Sequence, residues 1–156
     1  MSARAVEAWA LEPLNRFVHE AQVRLVLLMT PAGQVLAQSG FSRAVDVMSA
    51  AALGAAIMAS TGELAKQLGQ RAFAAVNHQG VRHGIFLSGF SAGRAPLVGL
   101  VVYDLDVSSL GLVQLFFEQL AAELAAASPK DAAPKQVLAA DFERELSSSL
   151  NTLFGR

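Results

Sequence analysis

Apolar residues recur along this chain with two different periods, and the alternation between them predicts the order of elements. In residues 3–22 they fall at Val6, Trp9, Ala10, Leu14, Phe17, Val18 and Ala21, a helical spacing that Pro13 breaks or restarts near a first turn. "RLVLLMT" (24–30) is short, branched and apolar, which predicts a buried strand; "PAG" (31–33) supplies turn chemistry and "QVLAQS" (34–39) returns as a second strand. A long helix over 44–68 ends at Gly69, a residue suited to the left-handed position past a helix end. Three strands follow at 73–78, 82–88 and 95–103, joined at Gln79-Gly80 and across "GFSAGR". Residues 109–127 then form a strongly apolar helix with Ser109 as its cap. A linker opening on "SPKDAAPK" spans 128–140, and an amphipathic helix follows behind Asp141, with Phe142, Leu146, Leu150 and Leu153 on one face.

The long helix carries two stripes. Leu53, Ile57, Leu64 and Leu68 share one side and have the bulk that a core wants. At 100° per residue, Met48, Ala52, Ala55, Ala59, Gly62 and Lys66 gather on the other side, where mostly tiny side chains let a backbone approach closely. The small-residue stripe is therefore the candidate interface with a partner. Its alternative is burial beneath the helix's own domain.

Composition sharpens this picture. The chain has 156 residues, enough for one domain with a proper core, and is 53% hydrophobic but only 16% charged, which excludes a disordered chain. Such apolarity exceeds what a monomer's surface requires and points to close helix contacts or a permanent subunit interface. A net charge of -1 gives no electrostatic pull toward nucleic acid or anionic membrane. The absence of cysteine excludes disulfides, thiolate zinc sites and a cysteine nucleophile. The N-terminus does not read as a signal peptide, and the longest apolar run, "AAALGAAIMA", is about half of what a bilayer needs. A soluble cytoplasmic protein is the expectation.

Reactive groups concentrate in "AFAAVNHQGVRHGIFLSGF" (72–90), which holds His78, Arg82 and His83. A metal site would want a third ligand, and the remaining histidine, His19, lies in the first helix. Residues 64–103 contain no carboxylate to orient a histidine base; the more distant Asp104 or Asp106 could approach in the fold, but nothing in the spacing points that way. The reading is a hairpin, not an active site. "YDLDVSS" (103–109) lacks the oxygen ligands of a calcium loop and reads as a strand-to-helix connector. Arg43, Arg71, Arg82 and Arg94 fall at element ends, where solvated edge positions are the simplest reading. No phosphate loop, dinucleotide fingerprint, zinc-protease motif or nucleophile elbow occurs. Neither an enzyme nor a cofactor is expected.

The order of elements, with "RLVLLMTPAGQVLAQSG" early and "LVVYDLDVSSLGLVQLFFEQLA" late, resembles the Roadblock/dynein light chain family over about residues 5–127. The marks that carry the resemblance are Gly33, Ala37, Asp104, Asp106, Leu110 and Gly111 in their order and spacing. "TGELAKQLGQRAF", "VNHQGVRHGIFL" and the terminal "DFERELSSSLNTLFGR" look like the MglB-like subgroup of bacterial gliding-motility regulators. The resemblance implies an α+β fold: an antiparallel five-stranded sheet with the long helix on one face and two helices on the other, here over 1–127, with the tail helix (141–156) appended. It also implies homodimers in which long helices and edge strands pair, and binding to a Ras-like small GTPase whose hydrolysis is accelerated without an arginine finger. Under it, the small-residue stripe pairs with a sister helix, with the GTPase, or with each in part. The tail face at Phe142, Leu146, Leu150 and Leu153 either touches the GTPase or folds back on its own domain.

Overall fold

The computed structural model describes residues 4–5, 7–43, 45–71, 74–129, 147–150 and 152–153. Strand β1 (Arg4–Ala5) leads through a 3₁₀ turn (Ala8–Ala10) into helix α1 (Leu11–Glu20). Strands β2 (Leu25–Met29) and β3 (Val35–Gly40) form a hairpin, followed by the long helix α2 (Val47–Gln67). Strands β4 (Ala75–Gln79), β5 (His83–Ala92) and β6 (Ala95–Asp104) make a meander, and helix α3 (Leu110–Ala127) closes the domain. The expected antiparallel five-stranded sheet is present, with β1 added as a sixth strand on its border: the order is β1-β3-β2-β6-β5-β4, and every pairing is antiparallel.

Alternation along the central strands separates two cores. Val26, Leu28, Phe86, Leu97, Val101 and Tyr103 point toward α1 and α3 and meet Leu14, Phe17, Val113, Phe117, Leu120 and Leu124. Leu25, Leu27, Met29, Leu87, Val98, Leu100 and Val102 point the other way, toward α2. A strand buried on both faces has to read as a continuous apolar run, which is why "LVLLM" shows no period of two. In α3 the buried positions Val113, Phe117, Leu120 and Leu124 repeat at helical spacing. The Ser109 side chain accepts a hydrogen bond from the Leu112 N–H at 3.3 Å and caps the first turn as expected. Past α2, Gly69 takes φ +67°, and the Gln70 N–H donates to the Ala65 carbonyl at 2.9 Å, closing the helix end with a left-handed glycine.

Three boundaries differ from the sequence expectation. The first segment is not one helix: the chain is extended at Arg4–Ala5, and α1 proper places Pro13 in its first turn, where a missing N–H costs nothing. Strand β5 runs on to Ala92, so "GFSAGR" is mostly strand and the turn shrinks to Gly93-Arg94, with Gly93 at φ +63°. The Phe90 ring, 5.7 Å from Phe117 and nearly perpendicular to it, ties that extension to α3. Finally, β4 begins at Ala75, and Phe73, where the pattern starts the strand, lies outside the described residues.

Candidate partner-binding face

Helix α2 lies on the sheet with its small residues inward. Ala51, Gly54 and Ala65 are its buried positions, and Met58 and Ile57 pack at the margin of the same core. The approach is close: a Cβ added at Gly54 would stand 2.8 Å from the Leu100 side chain and 3.0 Å from that of Met29. Gly54 therefore admits no side chain against the sheet, and of the four bulky stripe residues only Ile57 packs near it. This overturns the expectation that Leu53, Ile57, Leu64 and Leu68 supply the core. Leu53, Leu64 and Leu68 are 65%, 56% and 66% exposed, and only Ile57 reaches the core margin.

The small-residue stripe divides across the border of this contact. Met48, Ala52, Ala59 and Lys66 are exposed, whereas Ala55 and Gly62 are half-buried. A Cβ built on Gly33 would lie 3.3 Å from that of Ala55, which places Ala55 against the β2–β3 turn. Ala59 lines an open depression of about 460 Å³ together with Met58, Pro31, Gly89, Pro96 and Val98. Lys66 is tied to Glu63 at 2.8 Å, an exposed pair one helical turn apart whose carboxylate raises the ammonium's pKa. Two exposed apolar flanks therefore border α2, Leu53, Leu64 and Leu68 on one side and Met48, Ala52 and Ala59 on the other, with Ser49, Ala56, Ser60, Glu63 and Gln67 along the outermost line between them.

The end of α2 leads to an open sheet border. Among the described residues β4 pairs with β5 alone, in the register Ala75↔Ser88 to Gln79↔Gly84, and it follows α2 in the chain. Its "AVNHQ" carries neither charge, at neutral histidine, nor proline, the residues with which monomers usually guard such a border.

The two hairpin histidines part company. His78 stands opposite Ile85, while the β5–β6 register sets His83 opposite Asp104. The Asp104 carboxylate, its side chain 13% exposed, takes a hydrogen bond from Arg24 Nε at 2.6 Å and lies 2.9 Å from His83 Nε2. An acid therefore does reach one histidine, contrary to the expectation from spacing. It arrives through strand pairing, which sequence separation does not show. Its second oxygen is engaged by arginine, and no nucleophile adjoins the group among the contacts of the described residues. The arrangement clamps the start of β5 and the end of β6 to the residue before β2. Among the described residues no group of three histidine, cysteine or acidic side chains is placed to hold a metal.

In the tail, Phe142 and Leu146 lie outside the described residues, as do 130–146 generally. Residues 147–150 and 152–153 are helical, with Leu150 and Leu153 both exposed. Helices α2 and α3 are each long and apolar enough to cross a membrane by length and composition. In α3 the buried residues occupy the core between the sheet and α1, while in α2 much of the apolar side is left open.

Comparison with known proteins agrees with this geometry. Solved structures similar to this chain include MglB of Myxococcus xanthus, with a TM-score of 0.70 and 26% identity over 78% of this chain and 95% of that one. The gliding protein MglB of Thermus thermophilus gives a TM-score of 0.66 and 31% identity over 77% of this chain and 88% of that one. An MglB described in a tetrameric arrangement gives 0.67 and 31% identity, over 76% and 87% of the two chains. No curated protein sequence matches. The family model of the Roadblock/LC7 domain matches residues 10–90. With that match across more than half its length and the sheet described above, this chain belongs to the Roadblock/LC7 domain family.

Proposed function

We propose that this chain is a cytoplasmic homodimeric regulator that binds a Ras-like small GTPase, MglA-like in kind, and stimulates its GTP hydrolysis by holding the GTPase's own residues in a productive arrangement. The observation that carries the reading is the exposed apolar flank of α2 at Leu53, Leu64 and Leu68, on the helix that leads into β4, a sheet border with no second partner among the described residues. Exposed leucines on a helix that leads to an open strand are what an association face requires. In this reading Leu53, Leu64 and Leu68 join the sister subunit, and Ala52, Ala55, Ala59 and Gly62 leave room beside the helix for a second backbone. Residues 1–127 form the regulatory domain, 128–140 a linker, and the tail helix (141–156) offers Phe142, Leu146, Leu150 and Leu153 to the GTPase.

Stimulation without donated catalytic groups is physically adequate. Phosphoryl transfer depends mostly on orientation and electrostatics around groups that the GTPase already carries, so a rigid surface that narrows their arrangements accelerates the step. The likeness to MglB supports the assignment to a GTPase regulator. Phosphate release from a Ras-like GTPase of the MglA kind, measured with and without the purified protein, tests it. Faster release is expected. Tight binding with unchanged release would leave a Roadblock scaffold, and no binding would refute the reading altogether.

A further inference from the structure

We draw no further inference here: the strongest candidate, the open apolar depression between α2 and the end of the β5–β6 hairpin lined by Pro31, Met58, Gly89, Pro96 and Val98, carries nothing because nothing among the described residues shows what covers it.

Discussion

Replacing Leu64 by alanine puts the α2 association face to a quantitative test. Leu64 keeps 56% of its surface exposed in the single subunit. Full burial of a leucine side chain stabilises by about 1.5–3 kcal/mol, so the exposed share is worth about 0.8–1.7 kcal/mol if a sister helix covers it. A two-fold interface counts the residue twice, giving about 1.7–3.4 kcal/mol at most, and truncation to alanine removes the greater part of this. Self-association is therefore expected to weaken by roughly ten- to a hundredfold, since about 1.4 kcal/mol corresponds to one decade. The subunit itself has no reason to suffer. Leu64 is absent from both cores, and alanine is the better helix former by a few tenths of a kcal/mol. Sedimentation equilibrium gives the dissociation constant, and thermal melting at low concentration gives the subunit's stability. An unchanged dissociation constant would show that the outer side of α2 is not the association face.

Other expectations separate the remaining contributions. Ala59→Arg, at the exposed margin of the depression beside Met58, is expected to block GTPase stimulation or dimerisation while leaving the circular dichroism of the domain intact; unchanged phosphate release and elution volume would remove the stripe from the interface. Ala55→Arg is a poorer probe, because Ala55 already touches the β2–β3 turn at Gly33. Gly84→Ala would set a Cβ 2.3 Å from the fully buried Tyr103 ring, whose hydroxyl donates to Asn77 Oδ1 at 2.9 Å. Overpacking and the disturbed hydrogen bond together should cost about 2–4 kcal/mol, lowering Tm by roughly 5–15 °C, and a melt within a degree of the parent would refute the contact. At the start of α2 the Ser49 hydroxyl donates to the Asp46 carboxylate and holds its pKa below the ordinary 3.8. A folded value below the unfolded one contributes stability above pH 3.8 that is lost as pH falls through the folded value. Ser49→Ala should return the Asp46 titration, followed by NMR, toward the ordinary value, and its stability should approach the parent's only at acid pH.

Much of the fold is legible in the residues themselves, wherever local chemistry decides. The shift from helical spacing to short branched runs marks each element, Ser109 announces the start of α3, and Gly69 the end of α2. Those signals depend on neighbours a few residues apart, so no tertiary knowledge is needed to read them. The site was only half legible. The two stripes of α2 are visible from periodicity, but periodicity ranks neither as inward. Bulk is a poor guide where a helix crosses Leu100 and Met29 so closely that position 54 has room only for glycine.

Long-range pairing decided the rest. Asp104 meets His83 because antiparallel register sets them opposite, twenty-one positions apart, and Arg24 arrives from a different hairpin. Strand β5 extends through Phe90 because α3 offers Phe117 to its ring. Arg4–Ala5 becomes a strand because β3 has a free side there. The amino-acid order determined which segments are helix or strand, since backbone propensity and side-chain period act locally. Which faces are buried, which edges are covered and which charges meet were settled only by the folded sheet, because they depend on residues that the chain keeps far apart.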